Sequence, residues 1–312
     1  AFRSRFLAPF LPRRTKYFGY NRFYVRTNLE WPDTQSTAVN TGETADEVNL
    51  MAVLALPSSY RPNGAPVPLI MFGHGASAHI TEEYWYAEND NFQALIDAFL
   101  SAGYAVFDVD NTRGLVGGYP DWGNLPLMTA YIHAWDYIKA NFNVEDKLYI
   151  YSASMGTCAS LMMMKWYSDS VVCALQTAPR PFSKYWYENY TSGEYHTTMA
   201  ESFGLGESGE WDTDRLRGFT HYDNRITIGN DDYIMEKFPP LKVMVGTSDT
   251  SALTEVREYY ADLNRAGNYI NYREVSGANH GKMTFLSEPE LRAEAVAWFD
   301  RFHVYDPVEE TP

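Results

Sequence analysis

Three segments of this 312-residue chain pair a reactive side chain with small neighbours. The first is Ser152-Ala153-Ser154-Met155-Gly156, the second Gly246-Thr247-Ser248-Asp249, and the third Gly277-Ala278-Asn279-His280-Gly281. A serine hydroxyl, a carboxylate and an imidazole are the groups that nucleophilic acyl transfer requires: one attacks a carbonyl, one takes its proton, and one orients the base. Around Ser154 the small residues at 152 and 156 suit a tight bend that leaves the central side chain clear, with the first amides of a following helix beside it. The same five residues also suit an ordinary turn between a strand and a helix, so the motif alone decides nothing.

The elements that would position these groups follow an α/β pattern. Leu148, Tyr149, Ile150 and Tyr151 form a short β-prone run before Ser154, and the Ala-, Leu- and Met-rich stretch from Met155 onward favours a buried helix. Strands are expected over Tyr17–Arg26 and Val48–Leu56, separated by a polar turn region, as the opening antiparallel strands of a mixed sheet. Further strands are expected over Leu69–Gly73, Tyr104–Val109, Val171–Gln176, Pro240–Gly246 and Tyr269–Val275. Helical spacing covers Phe92–Ala102, Pro126–Phe142, Ala252–Ala266 and Glu288–Phe302, with Gly103 and Gly267 as stop signals. Ser154, Asp249 and His280 then all fall at the carboxyl ends of strands, the edge at which open parallel sheets bind ligands.

Other residues near that edge are candidates for supporting roles. Leu69–Gly73 runs into His74-Gly75-Ala76, where small side chains leave backbone amides approachable. The amide of Ala76 would pair with that of Met155 as an oxyanion hole. His74 is a candidate substrate contact, but a histidine before glycine at a strand end also suits a loop brace. Tyr84 and Trp85 lie in a ring- and carboxylate-rich loop that would wall the site. Between residues 178 and 238 the regular alternation stops, and the long polar, aromatic stretch is expected to be a partly helical lid or cap. Its Tyr185, Trp186 and Trp211 are the leading substrate contacts. His196 and His221 with Asp212, Asp214 and Asp223 match no metal-ligand spacing, so a solvated loop is expected and no metal or other cofactor is implied.

The totals narrow the classes of function. With 25 Lys and Arg against 40 Asp and Glu, the formal charge of −15 argues against nucleic acid and an anionic membrane surface as partners. No run of eighteen apolar residues is present, so the chain is expected to be soluble. Cys158 and Cys173 are too few for a disulfide framework and are expected as buried free thiols. A start at Ala1, without an initiator Met or an apolar signal core, suits a processed secreted or periplasmic protein as well as a shortened chain.

On the three small-residue motifs, the His74-Gly75-Ala76 loop and the chain order Ser154, Asp249, His280, the sequence resembles the α/β-hydrolase superfamily over about residues 48 to 302. The resemblance implies a mostly parallel eight-stranded sheet flanked by helices with a lid or cap insertion. Residues 1–47 would form an amino-terminal arm and first strand, 48–177 and 239–305 the core, and 178–238 the insertion. It implies serine hydrolase activity, with Ser154 as nucleophile, His280 as base, Asp249 as its orienting acid, and the amides of Ala76 and Met155 as the oxyanion hole. Two positions depart from the usual pattern: Ser152 stands where a glycine is common, and Thr157 follows Gly156. The aromatic, acidic insertion points to an esterase that removes a short acyl group from a polar small molecule or saccharide. A peptidase or amidase with the same triad, and a catalytically silent binding module, are the alternatives.

Overall fold

The structure is a computed structural model, and it describes residues 20–26, 49–76, 80, 90–110, 122–181, 183–189, 194–202, 238–250 and 253–303. Eight strands form one sheet: β1 (Tyr20–Arg26), β2 (Asn49–Ala55), β3 (Val67–Gly73), β4 (Ala105–Val109), β5 (Val144–Ala153), β6 (Val171–Thr177), β7 (Leu241–Gly246) and β8 (Ile270–Val275). Their spatial order is β1-β2-β4-β3-β5-β6-β7-β8. The first two pairings, β1 with β2 and β2 with β4, are antiparallel, and the rest are parallel. The eight-stranded, mostly parallel sheet expected from sequence is therefore present, with strand ends within a few residues of those expected.

Eight α-helices are described: α1 (Asp90–Ser101), α2 (Leu125–Asn141), α3 (Gly156–Trp166), α4 (Ser183–Asn189), α5 (Glu194–Ser202), α6 (Leu253–Arg265), α7 (His280–Phe285) and α8 (Pro289–Phe302). Parallel strands covered on both faces need apolar side chains pointing both ways, and this explains the unbroken apolar runs of β3 and β5. Along β3, Leu69 and Met71 join the core beneath α2, α3 and α6, while Ile70 and Phe72 join the core beneath α1 and α8. The same alternation sends Leu148 and Ile150 of β5 to the first layer and Tyr149 and Tyr151 to the second. Cys158 and Cys173 are buried thiols that form no disulfide among the described residues, as expected. Among the described residues, no helix is long and apolar enough to cross a membrane.

Helix α7 is an element that the sequence pattern did not reveal. Asn279 caps it by accepting from the Lys282 amide at 2.9 Å, and Leu286 closes it in the left-handed region at φ 44°. At six residues it is too short for hydrophobic periodicity to register, and Gly281 in its first turn disguises it further.

Candidate active site

Ser154 occupies a strained bend. The backbone leaves β5 at Ala153, turns at Ser154 with φ 53°, and enters α3 at Gly156. A non-glycine residue held there costs about 1–3 kcal/mol and persists only where its surroundings over-determine it. Those surroundings are the Ser154 amide donating to Thr177 O at 3.0 Å and the Thr157 amide donating to Ser154 O at 3.1 Å. Gly156 is dictated by packing, since a Cβ there would lie 2.2 Å from the Gly73 carbonyl oxygen. The close approach sets the end of β3 against α3, so that Gly75 abuts Ser154; a Cβ on Gly75 would sit 3.6 Å from the Ser154 Cβ.

The departure at Ser152 has a structural counterpart. Ser152 pairs in register with Gly73, and a Cβ on Gly73 would come within 3.0 Å of the Ser152 Cβ. The space that a glycine would leave at position 152 is left instead by the neighbouring strand. Ser152 is fully buried, and its hydroxyl donates to Ser160 Oγ at 2.9 Å. Ser160 in turn accepts from Gln176 Nε2 at 2.7 Å and donates to Thr157 O at 3.0 Å. Thr157 is also fully buried; among the described residues its hydroxyl has no hydrogen-bond partner.

The loops after β7 and β8 are clamped to each other. Ser248 N donates to Ala278 O at 2.9 Å, Thr247 N to Val275 O at 3.0 Å, and Gly277 N to Thr247 Oγ1 at 2.8 Å. Gly246 permits the contact, because a Cβ on it would lie 2.1 Å from the Ala278 carbonyl oxygen. The clamp brings Asp249 beneath His280. His280 Nδ1 lies 2.7 Å from Asp249 Oδ2, and His280 Nε2 lies 3.0 Å from Ser154 Oγ. Three residues separated by up to 126 positions in sequence thus form one continuous hydrogen-bonded chain at the carboxyl edge of the sheet.

Asp249 is almost fully buried, and its partners decide its charge. Burial pushes the carboxyl up, but hydrogen bonds and charge from His280 and Arg180 outweigh this and hold the pKa at about 2. Arg180 Nη2 donates to Asp249 Oδ1 at 2.8 Å. No spacing or motif singles out Arg180, although its setting between Pro179 and Pro181 is distinctive. Ala178, just before it, is buried in the left-handed region at φ 42°, with its amide held by Met244 O at 3.0 Å.

The two oxyanion-hole candidates follow the serine bend and the end of β3 that abuts it. Met155 is the N-cap residue of α3, whose amino terminus carries no side-chain cap, so the positive end of that helix faces the nucleophile. Ala76 follows Gly75, the residue that abuts Ser154, and packs partly buried against the core.

Two of the expected substrate contacts are corrected. His74 is 3% exposed, and its Nδ1 lies 2.9 and 3.0 Å from the two oxygens of Asp108, which also accepts from Tyr131 Oη at 2.8 Å. Its ring braces the loop from beneath instead of facing a ligand. Trp186 is likewise buried, with the Arg180 guanidinium 5.2 Å from its ring centroid. Tyr84, Trp85 and Trp211 lie outside the described residues, as does the side chain of Tyr185.

Within the expected insertion, α4 and α5 are described, and the rest of 203–237 is not. His196, expected on a solvated loop, instead lies on α5, stacks on Tyr187 with ring centroids 4.3 Å apart, and donates from Nδ1 to Tyr187 O at 2.9 Å. No cluster of three or more metal-binding side chains occurs among the described residues.

The sheet order, the strained serine bend and the positions of the three loops define the α/β-hydrolase fold. Solved structures agree. The chain is similar to an S-formylglutathione hydrolase from Agrobacterium tumefaciens, with 11% identity, a TM-score of 0.64, and coverage of 95% of this chain and 99% of that one. A fluorophosphonate-binding serine hydrolase from Staphylococcus aureus aligns with 14% identity and a TM-score of 0.59 over 89% of this chain and 97% of its own. The acylaminoacyl peptidase of Pyrococcus horikoshii aligns with 15% identity and a TM-score of 0.60 over 82% of this chain, which spans only 39% of that larger protein. No protein-family model and no curated protein matches the sequence.

Proposed function

We propose that this protein is a serine hydrolase that cleaves a carboxylic ester through a covalent acyl-enzyme. The observation that carries the reading is the chain Ser154 Oγ, His280 Nε2, His280 Nδ1, Asp249 Oδ2, with separations of 3.0 and 2.7 Å, built on a bend at φ 53°. Ser154 Oγ attacks the carbonyl carbon while His280 Nε2 takes its proton, and Asp249 holds the ring and stabilises the charge it acquires. The amides of Ala76 and Met155 receive the oxyanion, and losing one such donor typically costs about 3 kcal/mol of transition-state stabilisation. Collapse expels the alcohol, which takes the proton from His280. Water, deprotonated by the same base, then releases the acid and restores Ser154.

The substrate is a short acyl group on a polar, carbohydrate-like alcohol. The aromatic and acidic composition of residues 178–238 supports this, as does the likeness to a structure named as an S-formylglutathione hydrolase, which spans nearly that whole protein. The likeness to an acylaminoacyl peptidase keeps amide cleavage as the second reading. Turnover of short-chain nitrophenyl esters, acetylated saccharides and peptide amides by the wild type and Ser154→Ala tests the proposal. Ester turnover that disappears in the variant is the expected result. Equal turnover by Ser154→Ala overturns the mechanism, and preferential amide cleavage overturns the ester assignment.

A further inference from the structure

We infer that Tyr151 is a positioning residue of this catalytic site, its buried hydroxyl tying the bend that holds Ser154 to the helix that carries His280; the inference rests on the serine hydrolase reading. Tyr151 lies on β5 just before the bend, and its ring packs beside those of Phe72 and Phe99, with centroids 5.0 and 5.7 Å away. The residue is fully buried. Its Oη lies 3.0 Å from Thr284 O on α7 and 2.9 Å from Thr177 Oγ1 on β6. A carbonyl only accepts, so the one Tyr151 proton goes to Thr284 O, and Thr177 Oγ1 gives its own proton to Tyr151. The other acceptor near Thr177 Oγ1, Ser152 O, is more distant at 3.4 Å. Burial pushes the Tyr151 hydroxyl well above its ordinary range, so it stays a donor.

Each end of this relay reaches a triad residue through the backbone. Thr177 O accepts from the Ser154 amide at 3.0 Å, and Thr284 Oγ1 donates to His280 O at 2.8 Å. The contact between His280 Nε2 and Ser154 Oγ at 3.0 Å closes the circuit above them. Helix α7 needs a tie of this kind. At six residues it is too short to hold its own conformation, and Thr284 O is among the last four carbonyls, which a helix cannot satisfy from within. Met283 and Leu286 anchor the helix in the core, but apolar contact is non-directional. The clamp between Ser248 and Ala278 sets His280 against Asp249, on the β7 side. On the Ser154 side, the Tyr151 hydroxyl is the directional link, and it fixes how far the base stands from the nucleophile.

The test compares wild type, Tyr151→Phe, Thr284→Val and Thr284→Ser in the second-order rate at which a fluorophosphonate labels Ser154, read by intact mass, and in the urea unfolding midpoint. Tyr151→Phe removes one oxygen and keeps the ring, so the packing around it survives. Labelling should slow about tenfold in folded Tyr151→Phe and in Thr284→Val, on the scale at which a displacement of about 1 Å costs about a hundredfold. Thr284→Ser keeps the hydroxyl and should label within about threefold of wild type. Turnover of a short nitrophenyl ester by Tyr151→Phe should show the loss in kcat with KM little changed, because alignment is disturbed and substrate binding is not. Labelling of Tyr151→Phe at the wild-type rate, whatever its midpoint, reduces the hydroxyl to a core hydrogen bond and overturns the inference. Should Tyr151→Phe fail to fold, the Thr284 variants decide, and equal labelling of Thr284→Val and Thr284→Ser overturns it. Absence of labelling in the wild type overturns the serine hydrolase reading itself, and so separates the two failures.

Discussion

Two histidine–aspartate pairs stand at the same edge of the sheet, and their surroundings differ. His74 and Asp108 have side chains 2% and 1% exposed, and Tyr131 joins the carboxylate from within the core. His280 and Asp249 are 38% and 6% exposed, and the far nitrogen of His280 faces Ser154. The chemical groups are the same and the pair distances differ by only a few tenths of an ångström, 2.9 against 2.7 Å. On the proposed reading, a brace is separated from a base by what the second ring nitrogen can reach and whether a ligand can approach. A cation completes the difference, because Arg180 donates to the carboxylate of the second pair.

The comparison can be broken most severely at the second pair. His280→Ala and Ser154→Ala should each lower ester turnover by at least about a thousandfold, the scale seen when triad members are removed. Ser154→Ala should leave the denaturant unfolding midpoint nearly unchanged, since Ser154 is part-exposed, while His280→Ala should cost about 1 kcal/mol through the lost bond to Asp249. The first pair should respond in stability. His74→Ala takes one hydrogen-bond partner from the buried Asp108, which keeps the Tyr131 hydroxyl and the Val109 amide, and should destabilise the fold by about 1–3 kcal/mol, read from urea unfolding. An activity loss in His74→Ala with undiminished stability would erase the contrast.

A smaller effect is the pH response of Asp249. Because Asp249 is held at about 2, below the usual carboxylate range, its interactions stabilise the fold above that range and fade as pH falls toward 2. Wild type should therefore lose its stability advantage over Asp249→Asn on acidification, in unfolding curves taken across that window. A difference independent of pH would mean that the carboxylate is not held ionised by its partners. The smallest effect is expected at Ser152→Gly, which removes the hydrogen bond to Ser160 and should cost about 1–2 kcal/mol of stability, bond and strand-glycine entropy together. Turnover should stay within about threefold of wild type, on the scale of ~0.7 kcal/mol in the barrier, since Gly73 already supplies the room at the bend.

Much of this arrangement was legible from residue order. Parallel strands buried on both faces must be continuously apolar, so β3, β4, β5, β6 and β7 announced themselves, and the reactive residues fell at their ends. Ser154, Asp249 and His280 could be grouped because each sits among small residues, and packing explains that need at Gly156 and Gly246. Other features had no local signature. Asp108 lies in an apolar strand and reveals its role only when β4 and β3 pair and His74 is set above it. Arg180 meets Asp249 across 69 residues, a contact that no spacing rule encodes. Aromatic residues in a polar stretch were expected to face a ligand, and Trp186 shows why composition misleads: a large ring buries itself where neighbours allow, here against a guanidinium.

On the proposed reading the exposed pair activates Ser154 and the sealed pair does not. That difference is tested most directly by fluorophosphonate labelling with peptide mapping on wild type, His280→Ala and His74→Asn, whose amide can still donate to Asp108. Stoichiometric modification of Ser154 in wild type and in His74→Asn, at rates within about tenfold of each other, and its loss in His280→Ala, is the predicted result. Labelling that survives in His280→Ala and vanishes in a folded His74→Asn would assign the base to the other pair and contradict the account.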